Sequence, residues 1–242
     1  MLVEYGASDE TKAEFLLRAC VVRAYVPIDV AQTQLAQMQT RLERQRPDLQ
    51  VCVLAADFMD VVALPTLLPA LLRLGFFPGS TIGNLDPQQA RGFLQRARQT
   101  LGQDSWFLAG VDLRKDPAIL LPAYDDAQGV TAAFNRNLLT RLNREAGADF
   151  NLDTFAHRAE WNDAESRIEM HLVSLKDQTV RVGGQALHFL RGETIHTENS
   201  YKYAPERFAA LAQESGWHCA EMWTDPRKLF SLHLLEPLTG PA

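Results

Sequence analysis

The chain has 242 residues, 46% of them hydrophobic, which is enough apolar material for the core of one large or two small domains. Its 24 basic and 30 acidic side chains give a net charge of −6, and no segment is rich in Lys or Arg. These features argue against binding to nucleic acid or to an anionic membrane surface, and they favour a small-molecule partner.

Cysteine and histidine spacing gives no sign of a disulfide framework or a metal site. Cys20, Cys52 and Cys219 lie far apart without a C-x-x-C motif, and the six histidines lack H-x-x-x-H or H-x-H spacing. The start lacks the features of a signal peptide, and no stretch approaches ~20 continuous apolar residues. We therefore expect a cytoplasmic protein without metal, with a monomeric state as the working expectation.

The chain opens with a predicted strand, turn and helix. Leu2 to Tyr5 form an apolar run typical of a buried parallel strand, and Gly6 permits a sharp turn. Ser8 or Asp9 is then predicted to cap a helix. This helix is expected to place three apolar residues on its inner face, Phe15, Leu16 and Leu17.

A second predicted strand, Tyr25 to Asp29, ends in a carboxylate 23 positions after Gly6 (29 − 6). This is about the separation at which an acidic residue meets a ribose in nucleotide-binding folds. Glycine and aspartate are also common turn residues. From these residues alone, a nucleoside site and ordinary turn chemistry are equally good explanations.

A polar helix from Ala31 to about Arg46 leads into a third predicted strand, from Gln50 to Ala55. Asp57 and Phe58 follow that strand. A carboxylate beside an aromatic ring suits an adenine held by a hydrogen bond and by stacking. Taken alone, a strand-end Asp next to a core Phe is the slightly better explanation.

The most informative loop follows the fourth predicted strand, which ends at Phe76 and Phe77. It contains two glycines, two hydroxyl groups and the amide of Asn84 at the edge of the sheet where ligands bind. Asp86 followed by Pro87 signals the start of a helix, so Asn84 is expected to lie just above that helix.

After a fifth strand, Ser105 to Asp112, we predict a short helix over Asp116 to Tyr124 and a longer one over Val130 to Glu145. The longer helix is expected to bury Phe134, Leu138 and Leu142. From Phe150 to Tyr203 the pattern changes to strand-like alternation, with a hairpin turn at Gly183-Gly184. The predicted strands here are Arg167 to Val173, Thr179 to Val182 and Ala186 to Leu190.

A helix from Pro205 to Ser215 and a final hairpin, Trp217 to Thr224 with Leu229 to Leu235, complete the pattern. The prediction is an α/β fold with a doubly wound, mostly parallel Rossmann-like sheet that ends in an antiparallel hairpin. Methyltransferases that use S-adenosylmethionine usually have this arrangement. We expect a cofactor-binding domain over residues 1–125 and 204–242, and an inserted α+β substrate-binding subdomain over residues 126–203.

Nearly the whole chain resembles the histidine-specific Nα-methyltransferases of ergothioneine biosynthesis, which convert histidine to its trimethyl betaine, hercynine. The specific motifs are Leu2–Lys12, Tyr25–Asp29, Asp57–Phe58, Gly79–Asn84, Asp112–Asp116, Ala123–Asp126, Phe134–Asn137, Arg167–Met170 and Thr197–Ser200.

The resemblance implies a role for each matching residue. It implies that five residues contact S-adenosylmethionine: Gly6, Lys12, Asp29, Asp57 and Phe58. It implies that Asn84 and Tyr124 hold the backbone of the amino acid substrate, as the residues that align amine and methyl group. Met170, Glu198 and Ser200 would contact the imidazole of L-histidine. Considered alone, a solvent-facing strand explains Glu198-x-Ser200 better, and Lys12 and Met170 also fit a solvated helix residue and a core filler.

Two departures from the family pattern stand out. Ser8 occupies a position where the family commonly has a second glycine. Family members also carry an N-terminal segment over the substrate site, and nothing in this chain corresponds to it. We therefore expect a parallel sheet that lacks part of its cover, and weak activity for the chain as it stands.

Two rival functions follow from these patterns. A nicotinamide oxidoreductase would suit the fold, but Gly6 to Asp9 lacks the G-x-G-x-x-G motif. The stronger rival is a truncated relative that binds S-adenosylmethionine or a partner protein without turnover.

Overall fold

The structure is a computed structural model that describes residues 1–66 and 72–238. The chain divides into two compact units, one made of Met1–Leu113 with Tyr203–Ala242 and the other of Arg114–Lys202. Among the described residues, no helix combines the length and the apolar character needed to cross a membrane.

Strands and helices follow one another in an order close to the predicted one. In chain order they are β1 (Leu2–Tyr5), α1 (Ala13–Ala19), β2 (Ala24–Asp29), α2 (Gln32–Gln45), β3 (Gln50–Val51), β4 (Leu54–Ala55), β5 (Arg73–Phe77), α3 (Pro87–Leu101), β6 (Ser105–Asp112), α4 (Pro117–Tyr124), α5 (Val130–Glu145), β7 (Phe155–Asn162), β8 (Arg167–Ser174), β9 (Gln178–Val182), β10 (Gln185–Phe189), β11 (Thr194–Tyr201), α6 (Pro205–Glu214), β12 (Trp217–Thr224) and β13 (Phe230–Pro237). Two short 3-10 helices cover Thr81–Asn84 and Leu152–Thr154.

The first unit contains a mixed sheet with the strand order β12-β13-β6-β5-β1-β2-β3, and β4 also pairs with β2. The neighbours from β6 to β3 run parallel, whereas β13 is antiparallel to both β6 and β12. The predicted doubly wound sheet with a closing antiparallel hairpin is confirmed. The single strand predicted from Gln50 to Ala55 is instead two short strands, β3 and β4, because the pairing with β2 is interrupted between them.

An aromatic cluster fills the core on one side of this sheet. Phe93 of α3 packs against Tyr5, Phe77 and Phe107, with ring centroids 4.5–6.0 Å apart. Gly75 permits this packing, because a Cβ there would lie 2.5 Å from the Phe107 ring. The central strands are therefore held by interdigitated rings as well as by backbone hydrogen bonds.

The prediction for α1 is wrong in two respects. The helix begins after Lys12 and has no side-chain cap, while Asp9 accepts from the backbone N–H of Thr11 within the preceding turn. The inner face consists of Ala13 and Leu17, whereas Phe15 is 73% exposed. The turn is longer than predicted, so the helix starts later in the chain and buries a different face.

The second unit contains a three-stranded antiparallel sheet, β11-β8-β7, and a hairpin of β9 and β10. Helix α5 has the predicted bounds but not the predicted inner face. Its buried residues are Asn135 and Leu139, and the three residues predicted to be buried are exposed: Phe134, Leu138 and Leu142. The buried face is shifted by one position because the side chain of Asn135 makes hydrogen bonds to His157 and to the backbone of His171.

A buried carboxyl group lies in the central strand β1. Glu4 is only 2% exposed and accepts a hydrogen bond from the hydroxyl group of Tyr25. Burial raises the pKa of Glu4 to about 7, and the bond from Tyr25 opposes that shift only in part. In the folded protein such a carboxyl group is mainly neutral below about pH 7 and mainly ionised above it.

We expect stability to fall as the pH rises between 4.5 and about 7, because folded Glu4 retains a proton that the unfolded chain releases. Glu4→Gln keeps an acceptor for Tyr25 and removes this titration, so it should be the more stable protein above pH 7, by on the order of 3 kcal/mol. Denaturant unfolding of both proteins across this pH range measures the difference. Parallel pH curves for the two proteins would show that Glu4 does not titrate in this way.

Candidate active site

The parallel strands of the first unit deliver polar side chains to their carboxyl edge. Gly6 follows β1, Asp29 ends β2, and Asp57 and Phe58 follow β4. Gly6 has φ +71°, and a Cβ on it would lie 3.5 Å from the Phe58 ring. A side chain at position 6 would therefore strain the backbone, although its Cβ would make only an ordinary contact with the Phe58 ring.

Each aspartate at this edge uses one oxygen to hold its own loop. Oδ1 of Asp29 accepts from the backbone N–H of Ala31 at 2.8 Å, and Oδ1 of Asp57 accepts from that of Met59 at 2.8 Å. The second oxygen of each carboxylate is the atom that can accept from a ligand. Asp29 is half-buried, whereas Asp57 is exposed.

Phe58 has one side in the core and another toward the edge of the sheet. Its ring packs edge-on against Phe77 and Phe93, at centroid distances of 5.5 and 5.6 Å. The side chain is nevertheless only partly buried. The core role and the ring-stacking role expected from the sequence are therefore compatible at this position.

The loop after β5 is built by residues with left-handed backbone. Gly79 has φ +72° and Ser80 has φ +59°, and Oγ of Ser80 accepts from the backbone N–H of Asp112 at 2.8 Å. A Cβ on Gly79 would lie 3.2 Å from Nζ of Lys12. Lys12 therefore lies over this loop, and the turns after β1 and β5 are neighbours.

Asn84 ends the 3-10 helix in this loop and its side chain is exposed. The predicted helix start just after it is confirmed, because Asp86 and Gln89 form a capping box with Pro87 at the first helical position. The amide of Asn84 thus projects from a rigid junction between a strand and a capped helix. It can both donate to and accept from a ligand.

The donors and acceptors of this edge fit S-adenosylmethionine. A nucleoside cofactor needs carboxylate acceptors for its hydroxyl and amino groups, an apolar face for its base, and backbone that allows close approach. Asp29 and Asp57 each have a carboxylate oxygen available, Phe58 offers a partly exposed ring, and Gly6 has a positive φ that a side chain would strain.

In the second unit, three side chains form a hydrogen-bonded triangle. The hydroxyl groups of Tyr124 and Ser200 are 2.8 Å apart, and Nζ of Lys202 lies 2.6 Å from the first and 2.8 Å from the second. Nζ of Lys202 also lies 4.7 Å from the centroid of the Tyr124 ring. We call these three side chains the hydroxyl–lysine triangle.

No sequence motif singles out Lys202, which is only 3% exposed. A signal was present, since Glu198-x-Ser200-x-Lys202 continues one alternating face of a strand. Lysine is almost never fully buried without polar partners. That alternation, combined with burial, identifies Lys202 as part of the polar cluster.

Glu198 and Met170 lie on the same face of the antiparallel sheet as Ser200. Glu198 pairs with Met170 across β11 and β8, after a bulge between His196 and Glu198. Met170 is buried and Glu198 is half-buried. Burial raises the pKa of Glu198, and the positive charge of Lys202 opposes that shift. The structure thus brings Glu198, Ser200, Met170 and Tyr124 to one face.

A second layer of hydrogen bonds holds the backbone of Tyr124. Nδ2 of Asn135 donates to Nδ1 of His157 at 2.9 Å, so the imidazole proton is on Nε2. That nitrogen donates to the carbonyl oxygen of Tyr124 at 2.7 Å. Asn135 also donates to the carbonyl oxygen of His171. Helix α5 thereby fixes the end of α4, where Tyr124 lies.

The opposite face of this sheet carries a group of possible metal ligands that chain spacing did not reveal, because two strands contribute. Ligand atoms of Glu169, His171 and His196 lie within 4.8 Å of one another. Burial would raise the pKa of Glu169, but hydrogen bonds from Asn162 and Arg167 lower it to about 2. The two imidazole rings stack at 4.7 Å. An ion-paired patch accounts for this arrangement.

The fold is shared with solved methyltransferases. An S-adenosylmethionine-dependent methyltransferase from Clostridium acetobutylicum superposes with a TM-score of 0.55 at 9% identity, covering 98% of this chain and 84% of that one. This likeness shows a Rossmann-like fold that solved S-adenosylmethionine-dependent methyltransferases share.

The family follows from sequence comparison. A family model described as "Histidine-specific methyltransferase, SAM-dependent" matches residues 1–237, and the chain belongs to this family. Histidine N-alpha-methyltransferase of Mycolicibacterium smegmatis is 41% identical over 96% of this chain and 74% of that protein. Ergothioneine biosynthesis protein 1 of Neurospora crassa is 29% identical over 65% of this chain and 18% of its own length.

We expect Asn135→Ala to lower the free energy of unfolding by about 1–3 kcal/mol, because it removes two buried hydrogen bonds and leaves Nδ1 of His157 without its donor. Asn137→Ala, at an exposed position of the same helix, is the control and should change stability by less than about 0.5 kcal/mol. Chemical denaturation compares them. Equal stability of the two variants would contradict the proposed support of Tyr124.

Proposed function

We propose that this protein transfers methyl groups from S-adenosylmethionine to the α-amino nitrogen of L-histidine, up to the trimethyl betaine hercynine, as a step of ergothioneine biosynthesis. The observation that carries the proposal is the placement of an acceptor, Glu198, and a hydroxyl, Ser200, on one strand face of a chain in the histidine-specific family. That pair matches the two nitrogens of an imidazole ring.

S-adenosylmethionine, when bound, supplies an electrophilic methyl group that an amine can take without a covalent enzyme intermediate. In this proposal Asp29 accepts hydrogen bonds from the ribose hydroxyl groups, and Asp57 and Phe58 hold the adenine. Gly6 allows close approach of the backbone, and Lys12 lies over the neighbouring loop at Gly79. These residues bind and orient the cofactor, and catalysis then depends on aligning the amine of the substrate with the methyl group.

Alignment is the main task of the substrate residues. Holding two reacting groups in line can contribute ~7–11 kcal/mol in well-oriented systems. We assign Asn84 and Tyr124 to the amino and carboxylate groups of the substrate, since an amide and a phenol can each donate and accept. An α-amino group has a pKa near ~7.7–8.0, so solvent can remove its proton and no dedicated base is required.

Glu198 and Ser200 are assigned to the imidazole. The carboxylate accepts from one ring N–H, and the hydroxyl serves the other nitrogen, while Met170 packs against the ring. A substrate without these ring nitrogens leaves buried polar groups unpaired, and such sites reject analogues strongly. The half-buried position of Glu198 and the buried position of Ser200 suit this role.

The setting we propose is a cytoplasmic monomer that acts on small molecules, without nucleic acid or membrane partners. The net charge of −6 and the three free cysteines support it.

We expect Asp29→Ala to weaken binding of S-adenosylmethionine about ten- to a hundredfold, because a charged acceptor for ribose hydroxyl groups is lost. Isothermal titration calorimetry gives the affinity of the wild type and of Asp29→Ala for S-adenosylmethionine. Asp48→Ala, at an exposed aspartate, is the control. Equal affinity of wild type and Asp29→Ala would remove Asp29 from the cofactor site.

The function itself is tested by incubating the protein with S-adenosylmethionine and L-histidine and detecting mono-, di- and trimethylated histidine by mass spectrometry. Glu198→Ala should lower kcat/KM for histidine by about one to two decades and leave cofactor affinity nearly unchanged. Glu165→Ala, at an exposed glutamate of the same unit, is the control. Absence of methylated histidine with the wild type would refute the function, and unchanged kinetics of Glu198→Ala would refute the residue's role.

A further inference from the structure

The hydroxyl–lysine triangle restricts what its two hydroxyl groups can do. The ammonium group of Lys202 has only donors, so it occupies a lone pair on the oxygen of Tyr124 and another on the oxygen of Ser200. The two hydroxyl groups also share one hydrogen bond with each other. Of their two hydrogens, one is used inside the triangle and one remains. Of their four lone pairs, three are used and one remains, on the hydroxyl group that donates inside the triangle.

The remaining hydrogen has a defined position in either arrangement. If Tyr124 donates to Ser200, the oxygen of Ser200 already accepts from Tyr124 and Lys202, and its own hydrogen points outward. If Ser200 donates to Tyr124, the same holds for the hydroxyl group of Tyr124. In both cases the outward-facing hydroxyl group has its lone pairs filled and can only donate.

We propose that Lys202 is a specificity-determining positioning residue: with Tyr124 donating to Ser200, Lys202 fills the second lone pair of the Ser200 oxygen, so that this hydroxyl group can only donate toward the substrate and selects ligands with an acceptor atom. The inference rests on the proposed function, in which that acceptor is the unprotonated ring nitrogen of histidine. Glu198 then accepts from the ring N–H, and the hydroxyl group of Ser200 donates to the unprotonated ring nitrogen. Together they select the neutral imidazole.

The electrostatics of the cluster favour the same division of roles. Lys202 is 3% exposed, so its charge acts on its neighbours with little screening by water. The positive charge of Lys202 lowers the pKa of Glu198 against the effect of burial. Lys202 thus helps Glu198 remain the acceptor while it leaves the outward-facing hydroxyl group of Ser200 able only to donate.

Removal of the ammonium group should release the hydroxyl groups. In Lys202→Met each oxygen regains a lone pair and the hydroxyl groups can rotate to accept as well as to donate. The variant should therefore have a lower affinity for ligands that need an outward donor. Its affinity for ligands of similar shape that do not need one should stay close to that of the wild type. A purely structural lysine would reduce the binding of both kinds of ligand to the same extent.

The experiment compares L-histidine with β-(2-thienyl)-L-alanine, whose ring has a similar size and no nitrogen. For histidine, kcat and KM are measured separately, and the affinity of both amino acids is measured by calorimetry on protein loaded with S-adenosylhomocysteine. We expect Lys202→Met to weaken histidine binding about ten- to a hundredfold, mainly through KM, and to change the affinity for the thienyl analogue less than about threefold. Lys176→Met removes the charge of an exposed lysine in the same unit and is the control.

A second variant covers the case in which methionine is not tolerated beside two buried hydroxyl groups. Lys202→Gln keeps a polar side chain but brings an acceptor as well as donors, so it should lose part of the preference for histidine over the analogue. Equal losses for both ligands, or no loss for either, would overturn the inference and leave the methyltransferase function intact. A wild-type protein that does not methylate histidine would overturn the proposed function first, and the inference with it.

Discussion

The pairing of β1 with β2 on one side and β5 on the other is the constraint on which the first unit depends. All three strands run parallel, and the residues of β1 are buried on both faces of the sheet. Parallel pairing places the carboxyl ends of these strands at one edge. Residues that lie far apart in the chain therefore meet there, including Gly6, Asp29 and the loop that begins at Gly79.

The same burial has a consequence for charge. Glu4 lies inside this strand between two parallel neighbours, and it is so little exposed that solvent does little to stabilise its anion. The sheet tolerates it because Tyr25 of β2 supplies a hydrogen bond and because the group can remain protonated. The central strand thus combines apolar packing with one titrating group.

The second unit uses polar contacts to place its side chains. The alternation of β11 brings Glu198, Ser200 and Lys202 to one face, while the bulge after His196 sets which residue lies opposite Met170. Behind them, the chain of hydrogen bonds from Asn135 through His157 holds the end of α4. Tyr124, Ser200 and His157 are each oriented by another polar side chain, which is how a recognition site keeps its geometry.

Local patterns in the chain specify the order and type of most elements and the chemistry of the strand ends. Period-two and helical patterns reflect interactions within a few residues, and so do the Gly, Pro and Asp residues that mark turns and helix ends. These signals can therefore be recognised without knowledge of the fold. They located β1, β2 and β5 and the capped start of α3, and they identified Asp29, Asp57 and Asn84 as candidates. Resemblance to a family added the candidate imidazole contacts.

Which faces are buried and which polar groups meet depends on how distant segments pack together. Helical periodicity predicts a stripe but not its rotation, and α5 turned its stripe by one position so that Asn135 reached His157. Helix α1 lost its predicted cap because Asp9 bonds within the turn instead. Lys202 joined Tyr124, 78 positions away, through contacts across elements that no local pattern encodes. Burial and hydrogen bonding between distant segments are properties of the packed molecule, and local sequence patterns do not record them.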